Sequence, residues 1–524
     1  MSADYSNVHI ESNLPKPWEQ EQTFNDILYD WMHRAPWLAI SAAAHLLLLF
    51  ILNAIPWEQF EAKKAREIQA TVIPPPEETF QEPEEEVIEE EVDIQPLEEP
   101  ILKDAEISDH NEEDTDEEFH STTGDPNFIS DAPFQGDGIN DLIGVGGGAG
   151  GKYGGRFGGS KNLRAAGGSA TEQALKDALE WLKSHQHPDG YWDCDGFSSQ
   201  CGKIGNTVCG NPGEATHDIG ITGLALLAFL GDGNTTNLGP YKEVVARGIK
   251  WLREQQDPES GLFGDAIGRD FLYDHAIATL AMSEAYYFSK SPLMKPAVQK
   301  AVGFIHKARN PYRAWRYDVP PLGDNDTSVT GWCLFALASA EEAGLVVEKD
   351  ALAGGLAWID DVTDVRSGRV GYNAKNTLSS RTPVNERWPR EKGEAMTSVG
   401  LLCRIFLHQD PEKTQLEGEK IFYKHADLLL HKLPEWDVEG FGCDMYYWYY
   451  GTYAMFQMGG DYWKKWEEAM RQAIVPNQRS DGDEKGSWDP VGPWGYAGGR
   501  VYSTALMTLC VEVYFRYARV LGAR

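Results

Sequence analysis

The chain has 524 residues, with 81 Asp and Glu against 47 Lys and Arg, giving a net charge of −34. Such acidity excludes the basic footprint that nucleic-acid binding requires. With 42% apolar residues and 17 tryptophans, wholesale disorder is excluded as well.

Residues 1–36 read as an N-terminal tail. From Trp37 to Ile55 the chain is apolar except for Ser41, His45 and Asn53, and Trp37 and Trp57 stand at its two ends. This predicts a single transmembrane helix over 37–56 with aromatic residues at both interfaces. A cleaved signal peptide fits less well, because thirty-six residues precede the segment and no basic n-region does. An ionisable residue inside a membrane helix is costly and points to function by default. His45 falls four residues after Ser41, on the same helical face. The phrase Arg34-Ala-Pro-Trp37 followed by Ser41 and His45 resembles the anchor of TonB-type energy transducers, as does the Pro/Glu-rich stretch Thr71–Glu78 beyond it. The resemblance implies that Ser41 and His45 form a membrane-coupling face toward partners of the ExbB/ExbD proton-channel type. It also implies a single-pass inner-membrane protein whose later residues are periplasmic, although Lys63, Lys64 and Arg66 weigh weakly the other way.

Residues 57–135 form an acidic, Pro/Glu-rich linker. Over 71–120, twenty-one residues are Asp or Glu and Lys103 is the sole base, so 21 − 1 leaves −20 of the chain's charge there. A segment of this kind repels itself, buries little apolar surface, and is expected to be disordered. Residues 136–168 turn Gly-rich, as in Gly144–Gly151, and read as a second, swivelling linker. No strand precedes the run, so it is not a nucleotide-binding loop.

Residues 169–524 carry a phrase that returns every fifty to seventy residues. It begins as Trp181-Leu182, Gln186, Gly190, Trp192 and recurs as Trp251-Leu252, Gln256, Gly261, Phe263. Weaker copies are Phe304-Ile305 with Trp315, Trp358-Ile359 with Gly368 and Tyr372, and Gln478 with Gly486 and Trp488. Each unit reads as an outer helix, a Gly-Trp turn and an apolar inner helix. The outer helices are predicted near 170–186, 242–256, 295–309, 349–362, 415–433 and 462–478. The inner ones are predicted near 217–231, 272–290, 326–345, 394–408, 444–458 and 499–519. Six such hairpins cannot each bury their apolar stripe alone. The predicted fold is therefore all-α, an (α/α)6 toroid that satisfies every stripe at once.

The Gln-Gly-Trp phrase resembles the QW motif of the squalene cyclase and protein prenyltransferase superfamily of α/α toroids. That resemblance implies that Gln caps an outer helix, Trp stacks on the turn, and both tie neighbouring repeats together without chemistry. Cyclases of the family protonate a polyene with the middle Asp of Asp-x-Asp-Asp-Thr. The nearest stretch here is Asp324-Asn325-Asp326-Thr327, which makes Asp324 and Asp326 the catalytic candidates. Aligned on Thr327, however, the acid position holds Asn325, and Asp326 reads equally well as a helix N-cap. The Asp-x-Cys-Tyr phrase of the zinc-dependent prenyltransferases is absent.

Cys194, Cys201, Cys209 and His217 crowd one loop, but their spacings of six to seven residues lack a zinc knuckle. A loop disulfide is the alternative in an oxidising compartment. Cys333, Cys403 and Cys510 lie in apolar helical runs and read as packed. No metal or other cofactor is expected. The inner-helix N-termini bring polar and aromatic residues to one end of the ring: His217, Asp218, Asp274, His275, Glu394, Asp444, Tyr446, Tyr447 and Tyr502. Six converging helices predict an aromatic-lined cavity there, suited to a hydrophobic, glycan or peptide ligand. The sequence thus points to a membrane-anchored envelope protein whose toroid binds a ligand or partner, with TonB-like coupling. The alternative is a divergent cyclase or prenyltransferase-like enzyme acting on an isoprenoid or another envelope substrate.

Overall fold

The computed structural model describes residues 45–47, 159–202, 207–311, 313–437 and 439–516, with side chains of the first long helix from Ala170 onward. The chain divides into a unit 1–112 and a unit 113–524. Of the first, only a helical turn at His45–Leu47 is described. The rest of the predicted span 37–56, Ser41 included, and both linkers up to Gly158 lie outside the described residues. Among the described residues no helix is long and apolar enough to cross a membrane.

The second unit holds six outer helices alternating with six inner ones. The outer set is α1 (Gly159–Ser184), α3 (Lys242–Glu254), α5 (Lys295–Ala308), α7 (Lys349–Asp361), α9 (Ile421–Leu430) and α11 (Gly460–Ile474). The inner set is α2 (Asp218–Gly231), α4 (Phe271–Ser289), α6 (Thr327–Glu342), α8 (Ala395–Phe406), α10 (Met445–Met458) and α12 (Gly495–Val511). A short α13 (Val513–Arg516) follows. Burial explains the two layers. In α3, Val244, Val245, Gly248, Ile249 and Leu252 form one stripe and the opposite face carries charge. In α2 every residue from Gly220 to Gly231 is buried, as befits a helix surrounded by others. The inner helices pack in series, α2 on α4, α4 on α6, α6 on α8, α8 on α10 and α10 on α12, and α12 packs back on α2. The ring is closed.

Several boundaries differ from the sequence expectation. Helix α1 starts at Gly159, inside the stretch read as Gly-rich linker, because Lys161–Ala166 contains good helix formers. Helix α9 is shorter than 415–433, since Glu417 and Gly418 take left-handed backbone at φ 52° and 85° before it. Helix α12 begins early at Gly495 and kinks at Gly499, and the inner layer then breaks at Glu512 into α13. The fourth repeat turns through a two-stranded hairpin, β1 (Thr363–Asp364) and β2 (Arg369–Val370).

The Gln and Trp side chains exchange the roles expected of them. Each turn Trp donates its indole N–H to a carbonyl at the C-terminus of its own outer helix, Trp192 to Leu182 at 2.7 Å, Trp315 to Ile305 and Trp488 to Ile474 at 2.8 Å. The Trp is therefore the cap, satisfying an orphan carbonyl. The Gln is the bridge. Gln186 Nε2 donates to Gly190 O and to Val244 O of the next outer helix, and Gln256 does the same to Gly261 O and Ala297 O. Gln478 donates to Gly486 O and to Ala174 O of α1, so the last repeat is tied to the first by the same device. Glycine is required where the turn meets the next helix: Gly190 has φ 106°, and a Cβ there would lie 2.5 Å from Arg247 O.

The staple also corrects one register. In four repeats the backbone N–H of the turn residue donates to a threonine hydroxyl on the inner helix: Trp192 to Thr222, Trp315 to Thr330, Val370 to Thr397 and Trp488 to Thr504. In the fourth repeat the turn position is therefore Val370 rather than Tyr372. That frees Tyr372 to point elsewhere.

Candidate ligand site at the inner-helix N-termini

Aspartate, serine and tyrosine side chains meet where α4, α6 and α10 begin. Asp326 is the N-cap of α6, its Oδ1 accepting from Val329 N at 2.9 Å and from Ser328 Oγ at 3.0 Å. The cap reading is thus what the geometry shows. Its Oδ2 accepts from the Tyr372 hydroxyl at 3.3 Å, and that hydroxyl pairs with the one of Tyr317. Tyr273 bonds Ser328 Oγ, and the Tyr446 hydroxyl donates to Ser328 O at 3.4 Å. Tyr273, Tyr317 and Tyr446 are half-buried, whereas Asp326 is fully buried. Burial pushes the Asp326 carboxyl up to about 6, against the pull of the Val329 and Ser328 hydrogen bonds.

The remaining predicted residues divide into those with polar partners at the inner-helix N-termini and those that serve elsewhere. His217 Nδ1 lies 3.0 Å from Asp274 Oδ2. Burial alone would depress the imidazole, but the Asp274 carboxylate, helped by Asp270 and Glu214, raises it to about 9. Asp218 accepts from Cys194 N at 2.8 Å, and burial lifts its carboxyl to about 6. Glu394 holds Arg369 in a two-pronged pair and accepts from Thr397 Oγ1. Asp444 caps α10 through Tyr447 N at 3.1 Å, with Arg381 3.7 Å away. Tyr502 is half-buried in α12, three residues past the Gly499 kink.

Three candidates belong to the scaffold instead. His275 is buried, accepts from Phe263 N at 3.1 Å and donates Nε2–H to Ala301 O at 3.0 Å. It thus fills in the second repeat the place that Thr holds in the first, third, fourth and sixth, and burial lowers it to about 4. The Tyr447 hydroxyl reaches outward to Lys432 O at 2.9 Å. Asp324 is exposed and paired with Arg316 at 2.6 Å, while Asn325 Oδ1 accepts from Ala314 N and Asn310 Nδ2.

The aromatic run of α10 is packed rather than open to a channel. Tyr449 stacks on Trp332 at 5.6 Å and 13°, Tyr450 meets Phe335 at 5.2 Å, and Phe335 meets Phe406 at 4.8 Å. A shallow recess at the start of α8 is lined among others by Arg369, Ser379 and Glu394. Tyr317 escaped the sequence reading because it sits in an irregular loop with no repeat position to mark it.

All seven cysteines are free. The group read as Cys194, Cys201, Cys209 and His217 is split: Cys194 turns its thiol to Ala497 O and Gly498 O, and His217 pairs with Asp274. His185, unremarked in the sequence, faces Cys201 and Cys209.

No family model matches the chain. A squalene–hopene cyclase from Bradyrhizobium diazoefficiens is 24% identical over 209 residues, 37% of this chain and 30% of that protein. The match therefore spans less than a third of the relative's length. Among solved structures, a type II terpene cyclase variant from Scytonema covers 68% of this chain and 98% of its own, at 13% identity and TM-score 0.39. An α-1,6-mannanase variant from Salegentibacter sp. HEL1_6 covers 66% and 98% at 13% identity and TM-score 0.44. A cellobiose 2-epimerase from Spirochaeta thermophila covers 68% and 97% at 13% identity and TM-score 0.47. The repeat domain is similar to the squalene cyclase-like superfamily of α/α toroids.

Proposed function

We propose that the toroid is a binding module, tethered in the cell envelope, that takes a ligand or partner on its tyrosine-lined end. The observation that supports this most is the state of the acid motif. Asn325 stands at the donor position and is held by Ala314 and Asn310, and Asp326 uses Oδ1 to cap α6. A half-buried floor of Tyr273, Tyr317 and Tyr446, with Arg269 stacked over Tyr317 at 4.6 Å, offers flat faces and hydroxyls. Such a surface suits a glycan or an extended peptide, because rigid aromatic rings give contact area at low entropic cost. Native mass spectrometry of the gently purified full-length chain should reveal a co-purifying ligand, lost in a Tyr317→Ala and Tyr446→Ala double variant. Retention of that ligand in the variant would place binding elsewhere.

The second reading is a divergent cyclase or transferase, favoured by one feature: Asp326 is buried beneath tyrosines with its carboxyl raised to about 6. Incubation with squalene should give no triterpene. A cyclised product that disappears in Asp326→Asn would restore the enzyme reading.

Tethering by 37–56 with TonB-like coupling completes the proposal. An alkaline phosphatase fusion after residue 135 should be active, and cross-linkers placed beside His45 should capture an ExbB/ExbD-type pair. An inactive fusion would put the toroid in the cytoplasm and end the TonB comparison.

A further inference from the structure

The connection from α1 to α2 lies across the seam where the sixth repeat meets the first. Thr207 N donates to Asp483 Oδ2 at 2.8 Å, Arg500 Nε donates to Gly210 O at 3.1 Å, and Glu214 N donates to Ala497 O at 2.7 Å. At its near end three ligand-type atoms converge. His185 Nε2 stands 3.4 Å from Cys201 Sγ and 3.4 Å from Cys209 Sγ, and all three atoms lie within 4.8 Å of one another.

The histidine is held in the form a metal requires. His185 Nδ1 is 2.9 Å from Trp181 O and 3.0 Å from Ser184 Oγ, whose own hydrogen goes to the Trp181 carbonyl at 2.8 Å; facing two acceptors, Nδ1 carries the hydrogen and Nε2 presents a lone pair. The ring is further held by stacking on Trp181 at 4.2 Å and 23°. One backbone carbonyl fixing the tautomer while the opposite nitrogen faces the ion is the usual outer-shell arrangement of a metal-bound histidine. The spacing agrees. With Zn–S about 2.3 Å and Zn–N about 2.0–2.1 Å, tetrahedral geometry sets S···N near 3.6 Å. Both S···N distances here are within a few tenths of that. Cys201 Sγ also accepts the Cys209 backbone N–H at 3.2 Å, a donor that favours its thiolate form.

We propose that His185, Cys201 and Cys209 bind a zinc ion, with solvent in the fourth position on the half-buried Cys201 side. The ion would clip the seam-spanning loop to the end of α1, so that its binding energy adds to ring closure. Cys194, whose thiol faces the Ala497 and Gly498 carbonyls, is not a ligand.

The full-length chain, purified with a phosphine reductant, should carry about one zinc per chain by elemental analysis. Replacement with Co²⁺ should give the near-ultraviolet sulfur-to-metal charge-transfer band and visible d–d bands of a tetrahedral thiolate site. His185→Ala and Cys209→Ser should each abolish both signals, Cys194→Ser should keep them, and chelation should lower the melting temperature of the wild type reversibly. If the ligand variants fail to fold, the cobalt spectrum and zinc content of the wild type still decide. A reduced chain that takes up neither metal overturns the proposal, as does uptake unchanged in folded His185→Ala and Cys209→Ser, or a Cys201–Cys209 disulfide in the native, metal-free protein.

Discussion

Replacing Trp192 tests the staple in a way that separates its apolar and polar parts. The side chain is fully buried, packs on Phe229 at 5.9 Å, and caps Leu182 O at 2.7 Å. Trp192→Ala removes the indole and should cost about 3–5 kcal/mol, as large aromatics do when truncated in a core. Leaving the buried Leu182 carbonyl without its donor adds roughly 1 kcal/mol. Trp192→Phe keeps most of the ring and loses only the donor, and the second repeat already carries Phe263 at this place. Its cost should be about 1–2 kcal/mol. At roughly 2.1 cal/mol/K per residue, a ring of this size has an unfolding entropy near 0.7 kcal/mol/K. The expected drops in Tm by calorimetry are thus about 6–8 °C for Ala and about 2 °C for Phe. Equal drops for both would show that the hydrogen bond, not packing, carries the staple. A loss below ~1 °C for Ala would refute the core placement of Trp192 altogether.

Deleting 462–524 removes Gln478 and its bond to Ala174 along with the α12–α2 contact, and should abolish the near-ultraviolet dichroism of the whole ring in one transition. A truncated chain that melts like the intact one would mean that the repeats stack independently. His217 has a folded pKa of about 9 against 6.5 for the free side chain, so its pairing with Asp274 stabilises fully below pH 6.5 and fades as pH rises through 9. The gap in urea stability between wild type and His217→Gln should be up to about 3 kcal/mol at pH 6 and close by pH 10; a gap flat with pH would refute the pairing. Arg516 lies buried between Glu284 at 2.9 Å and Glu512 at 3.1 Å. Arg516→Met should cost roughly 3–5 kcal/mol by leaving those carboxylates in the core, and adding Glu284→Gln and Glu512→Gln should recover part of it. An Arg516→Met variant with the wild-type denaturation midpoint would contradict that account.

The architecture was legible because its determinants are local or periodic. The Gln-Gly-Trp spacing marks the outer-helix ends in the repeats that keep it, the apolar stripe of α3 marks an outer helix, and the all-round apolar α2 marks an inner one. Twelve such segments leave closure as the way to bury every face. The capping role of Asp326 was legible too, since a cap depends on residues within one turn. Which side chains meet across the ring was decided only by tertiary structure. His275 reads like His217 in sequence, yet its rotation on α4 sends it to Phe263 and Ala301 instead of the open end. Tyr372 looked like a turn aromatic until Val370 took that position and the ring of Tyr372 reached Asp326. His185 meets Cys201 and Cys209 because the loop folds back across the seam, a contact sixteen and twenty-four residues away in sequence that no local pattern marks. Helix identity follows from spacing along the chain, whereas a site follows from how each helix is turned about its axis when the neighbouring layers pack.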